Sequence, residues 1–388
     1  MKVRLTALCP IHIGGADQRI GPSELVLFGG RCFVVHRDRL FRALLDRGLL
    51  DSFMDAEKRH RQDLDIARFL DEHGLLGHPF LREHTTHSSA CAAERVRELR
   101  GFVRNAFAQP YVPGSTIKGV VRTSVLYTLL DRLDADQRVR MLDEYAEKRL
   151  ADFGKDARSR MGRSWFREQF KQWFAQELDR HFFQRYHIGR EEKRFSSRSD
   201  VMRAVKVSDA RPLDKDGLNV EEIKIHSARS SHSPKEWSIY AECAQNGSEF
   251  TFDVAVDKSI LGSFAESASQ ASSEVPFRVI EEIVSQPLEA VAHMTKALYA
   301  HERDFYEKES MPVEALDFRG ITPNFRLGWG IGLLGTSVSL LLPDKVLQDI
   351  RNVLFTDRGE APAPKSRKTA LTTTGNASLG WCFAEQEK

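Results

Sequence analysis

The stretch YVPGSTIKGVVRTSVLYTLLDRL, residues 111–133, constrains the fold more than any other part of the chain. Pro113 ends an extended run, because its ring removes a backbone donor and pushes the preceding residue out of helical space. Beyond it, Ile117, Val120, Val121, Val125, Leu126, Leu129 and Leu130 recur at helical spacing. That is the apolar stripe of a buried helix, with Ser115 or Thr116 as its N-cap. The same start has the makings of an anion site: N-terminal amides, two hydroxyls, and Lys118 and Arg122 on one face at i, i+4. By itself the stretch fits a phosphate grip and a capped helix with a solvated basic face equally well. A nucleotide-hydrolase P-loop is excluded, because Lys118 precedes Gly119 instead of following it and valines stand where a hydroxyl must hold magnesium.

With 388 residues the chain exceeds one ordinary core, so two domains are expected. The division falls near Ser196, giving residues 1–195 and 196–388. Val3–Leu8, ELVLF, CFVVH, MRAVKVSDA, EEIKIHSA and EFTFDVAVD read as strands. RDRLFRALLDRG reads as a helix capped by Asp38, and 277–308 as one long helix. Residues 263–274 (SFAESASQASSE) and 358–369 (RGEAPAPKSRKT) read as flexible segments. Strands and helices mix without a regular βαβα rhythm, which points to an α+β protein. No apolar run approaches a membrane span and the opening lacks a signal-peptide core, so the expected location is cytoplasmic, with no membrane partner. Five scattered cysteines suit reduced thiols.

Two further glycine-rich stretches carry possible chemistry. CPIHIGGADQRIGP follows the first strand and contains His12, Gly14 and Gly15. RLGWGIGLLG contains Arg326, Gly328 and Trp329; its Gly330, Gly332 and Gly335 imitate a dinucleotide fingerprint but lack the acidic residue about 20 positions on. A cation for phosphate and an indole for a base suit this loop, as does a tight turn around a buried tryptophan. Residues 155–206 hold fourteen Lys or Arg against seven Asp or Glu, interleaved with aromatics whose helical spacing also fits a core. His84, His87 and Cys91 match no strong zinc pattern, so neither metal nor cofactor is expected. Asp209 reads as a turn or cap at a strand end.

The three glycine-bearing loops, in this order, resemble the RAMP proteins of CRISPR systems. More narrowly, LTALCPIHIGGADQRIGPSELV, PYVPGSTIKGVVRTSVL, VKVSDARPL, FRLGWGIGLLG and PKSRKT…SLGWCF look like the fifth-subunit family of the type III-A (Csm) effector. Two departures are Cys9-Pro10 for a more usual Thr-Pro, and His-Ile-Gly-Gly for His-Ile-Gly-Ser-Gly. The resemblance implies two ferredoxin-like (RRM-type) RAMP domains with helical insertions. It also implies a non-catalytic subunit that caps the RAMP backbone at the 3′ side of the guide RNA (crRNA). Expected partners are crRNA, an adjacent RAMP backbone subunit and a small helical subunit, with target RNA reached indirectly. The implied RNA contacts are His12, Gly14, Gly15, Ser115, Thr116, Lys118, Arg122, Arg326, Gly328 and Trp329. The alternative is a metal-independent endoribonuclease acting on precursor crRNA, with His12 as acid or base.

Overall fold

The computed structural model describes residues 1–28, 31–59, 65–76, 82–87, 96, 98–144, 177–186, 197–212, 218–228, 238–268, 275–354, 361–372 and 374–387. Strands are numbered along the chain. A six-stranded antiparallel sheet runs β12 (Phe325–Arg326), β15 (Trp381–Gln386), β1 (Lys2–Ala7), β11 (Glu249–Val256) and β7 (Val205–Val207), with β8 (Arg211–Pro212) also on β11. The period-two pattern explains it. Val3, Leu5 and Ala7 turn one fully buried face inward, and Val3 and Leu5 lie opposite Phe252 and Phe250 of β11.

A nine-stranded mixed sheet runs β2 (Gly14–Ile20), β6 (Leu99–Phe102), β10 (Ile239–Ala244), β9 (Leu218–Ser227), β5 (Arg82–His87), β4 (Arg31–Val35) and β3 (Leu25–Phe28). β13 (Ser366–Thr372) adds to β9, and β14 (Gly375–Ala377) to β13. Both sheets draw strands from either side of residue 195, so the division expected there is not the division between sheets. Long-range pairings such as β1 with β15 leave no mark in local patterning.

The largest core joins the first sheet to α4 (Gly114–Asp131), which buries Ile117, Val121, Val125, Leu129 and Leu130. Beside it runs the helix Pro287–Lys308, whose Met294 sulfur accepts a 3.6 Å hydrogen bond from Ser124 Oγ. α1 (Arg37–Asp46), α2 (Leu50–Arg59) and α3 (Ile66–Glu72) form a separate small core with β3 and β4, centred on Phe33, Leu44, Phe53 and Leu70. Phe182, Phe183 and Tyr186 of the basic, aromatic-rich region are core residues; most of that region lies outside the described residues.

Several expectations need correction. Asp38 sits inside the first turn of α1, whose N-cap is His36. The 277–308 helix is two helices, Phe277–Ser285 and Pro287–Lys308, because Pro287 can open a helix but not continue one. Residues 263–268 belong to the helix Lys258–Ala268, which Leu261 and Phe264 anchor in the core. The segment 366–369 is strand β13, while 358–360 lie outside the described residues. Four cysteines, Cys9, Cys32, Cys243 and Cys382, are buried thiols; Cys91 lies outside the described residues.

Candidate nucleic-acid interface

The first-strand loop and the C-terminal glycine loop meet. Trp329 N–H donates to the His12 carbonyl at 2.8 Å, Leu327 N–H to Gly380 at 2.9 Å, and Gly380 N–H to Pro10 at 3.1 Å. Gly328 makes this approach possible. Its φ is +103°, and a Cβ there would lie 2.7 Å from the His12 oxygen. His12 is 2% exposed, with edge-on contacts to Phe102 and Trp329. Its Nδ1 lies 2.7 Å from the Glu242 carbonyl. A carbonyl only accepts, so Nδ1 carries the proton and Nε2 faces Gly14, 3.1 Å from where a Cβ would stand. Burial lowers the imidazole's pKa, aided by the nearby Arg100 charge, so the ring is neutral at physiological pH.

Arg326 lies beneath the loop. It is 5% exposed, with its guanidinium 4.0 Å from the Trp381 ring centroid and Nε donating to the Leu379 carbonyl at 3.4 Å. Beside it, Arg367 Nε donates to buried Glu302 at 2.6 Å while its guanidinium covers Phe305. This buried group supports the loop from behind. Gly15, by contrast, is exposed.

The start of α4 is built otherwise. The N-cap position is Pro113, and neither Ser115 nor Thr116 caps the helix. The Asp209 carboxylate, from the loop after β7, accepts from Gly114 N–H at 2.7 Å. Asp209, expected as a turn or cap at its own strand's end, instead caps a helix 95 residues away in sequence. Gly114 is required by close approach, since a Cβ would fall 2.8 Å from backbone atoms of Val207 and Ser208. Lys118 and Arg122 share a face as expected. Arg122 is committed inward, donating to Asp179 at 3.1 Å and pairing with Asp200 at 2.9 Å across the Phe183 ring. Burial, with Lys206 and Arg122 nearby, lowers the Lys118 pKa against the opposing pull of Asp200. Ser115 is exposed, and Thr116 and Lys118 are half-buried.

The two regions are adjoining. Val103 N–H donates to Ile13, Tyr111 N–H to Val103, and Val112 and Ala210 exchange a pair of bonds. The first loop thus leads by backbone bonds to the entry of α4. A family model described as the RAMP superfamily matches residues 4–318. The chain belongs to the RAMP superfamily. A curated relative is the CRISPR system Cms protein Csm5 of Streptococcus thermophilus, 24% identical over 139 residues. That alignment covers 33% of this RAMP chain and 38% of the relative's length. Among solved structures, one similar chain comes from a Csm–crRNA–target RNA ternary complex of a type III-A CRISPR–Cas system. It has TM-score 0.70 and 22% identity, covering 99% of this chain and 100% of that one. The crystal structure of T. onnurineus Csm5 gives TM-score 0.63 and 21% identity over 98% and 99%. The fold is thus the α+β RAMP fold.

Two cations of this RAMP protein were missed by sequence reasoning. Arg100 on β6 and Lys368 on β13 both lie over the Trp329 ring, 4.7 and 5.3 Å from its centroid. The alternation of β6, with Leu99 buried and Arg100 half-buried, was the available signal. Lys368 was hidden because PKSRKT reads as a linker. Among the described residues no group of three or more metal-ligating side chains occurs, and no helix is long and apolar enough to cross a membrane.

Proposed function

We propose that this RAMP protein is a structural, RNA-binding subunit of a type III-A Csm effector complex. It caps the RAMP backbone at the 3′ side of the crRNA and supports crRNA maturation and antiviral defence without cutting RNA. The observation that carries this reading is the junction of the His12 loop with the Trp329 loop, ringed by basic side chains, in a chain whose full-length fold follows a chain of a Csm–crRNA–target RNA complex. Cations and exposed glycine backbone suit phosphates, which position RNA without reading its sequence. Gly14, Gly15, Gly328 and Trp329 line this path, with buried His12 packed behind them. Ser115, Thr116 and Lys118 extend it along the entry of α4, with Arg122 and Arg326 holding the two ends in shape. The partners are crRNA, an adjacent RAMP backbone subunit and a small helical subunit; target RNA is met through the complex.

Reconstituting the effector with and without this chain, then sequencing the bound guides, tests the proposal. Omission is expected to lower guide occupancy and scatter the 3′ ends. Identical occupancy and identical ends would overturn it. The burial of His12 argues against the endoribonuclease alternative, since a general base must reach its substrate's proton. Precursor crRNA incubated with the chain in EDTA should stay intact; cleavage abolished by His12→Ala would establish the alternative.

A further inference from the structure

We infer that Arg100 and Lys368 form a two-cation clamp, aligned by Trp329, that grips a single phosphodiester of bound RNA. The inference rests on the guide-RNA reading above. The two residues come from separate strands of the nine-stranded sheet but share a face. Arg100 lies beside Ala241 of β10, and Lys368 lies beside Ile225 of β9. Between them lies a small apolar patch of Ile223, Ala241, Cys243, Ala370 and Leu379, on which Trp329 packs. The patch fixes the indole, and the indole holds the guanidinium and the ammonium over its ring.

The charges around them do not balance. Arg104, four residues beyond Arg100, is held by Glu242 at 3.1 and 3.2 Å. Among the described residues no carboxylate pairs with Arg100 or Lys368, and the buried Arg100 Nε donates to nothing. Neutral His12 supplies no negative charge either. Two like charges in a half-buried setting repel, and a buried donor left unpaired is destabilising. Burial and the Arg100 charge both push the Lys368 pKa down. A chain that keeps such a pair gains most when an anion completes it. A phosphodiester fits, since its oxygens can accept from a guanidinium and an ammonium together. Trp329 accordingly orients cations instead of stacking a base.

The test uses the full chain with single-stranded guide RNA, binding measured across a salt series, and Arg100→Met with Lys368→Met as the variant. Methionine keeps an unbranched stem over the indole and removes the charge. The double variant should bind roughly tenfold more weakly, as expected when a charge-assisted bond is lost. Its salt slope should be shallower by about 0.7, the value of a single-strand phosphate contact. Each single variant should show most of the same loss, because the phosphate is shared. The variant's melting temperature without RNA should hold or rise as the repulsion disappears. An unchanged slope and affinity in the double variant, with wild type binding normally, would overturn the clamp alone. A lowered melting temperature with unchanged slope would assign the pair a structural role, also against the clamp. Failure of the wild type to bind guide RNA would overturn the guide-RNA reading and the clamp with it.

Discussion

The entry of α4 and the His12–Trp329 junction look alike in sequence, since each joins glycines to a cation. In the folded chain they differ in charge balance. At α4 the inward cation is answered, since Asp179 and Asp200 take Arg122, and Asp209 takes the Gly114 amide. At the junction, Arg100 and Lys368 have no such answer among the described residues, although the Arg326–Arg367–Glu302 group beneath them is partly neutralised. The same glycine–cation motif thus leaves different cations available in the two places, because the fold supplies the counter-charge at one and withholds it at the other.

The comparison can be broken or sharpened experimentally. The largest effect is expected from Glu302→Ala, which strands the Arg367 guanidinium in the core. Such a break of a buried pair costs about 3–5 kcal/mol, read as a lower denaturant midpoint. Gly328→Ala should come next, with roughly 3 kcal/mol lost to left-handed backbone strain and the clash with the His12 carbonyl. Guide affinity should fall with it, because the two loops part. Asp209→Asn should remove about 1 kcal/mol, the usual worth of a cap, and leave guide affinity unchanged. A gain in affinity there would show that Asp209 competes with phosphate at α4 and would erase the contrast between the regions.

The smallest effect is expected from pH. The folded state holds the His12 pKa below the unfolded value, so the unfolded chain binds more protons just below neutrality. Stability from this group is complete above the usual histidine range and is lost as pH falls through it. His226 and His301, also lowered by burial, act in the same direction. The melting temperature should decline between pH 7.5 and 5.5, and His12→Gln should flatten the decline. An unaltered slope in that variant would show that His12 does not contribute.

The local elements were legible where periodicity is strong. The α4 stripe, the alternation of β11 and the glycine-bearing loops could all be read off the chain, and their order supported membership in the RAMP superfamily. α2 was missed, and the break at Pro287 was passed over because the apolar pattern runs through it. Of the expected contact residues, His12, Gly14, Gly328 and Trp329 come together. Arg122 and Arg326 turn inward for reasons their neighbours in sequence do not reveal.

The chain's pattern of apolar spacing, proline and glycine determined which segments become strands, helices and tight loops, because those choices depend on neighbours within a turn or two. Only the tertiary structure decided which cations stay unpaired. Asp209 reaches Gly114, Glu242 reaches Arg104, and Glu302 reaches Arg367 across 95, 138 and 65 residues. Charge compensation is a matter of distance in space, and strand pairing across the whole chain sets that distance.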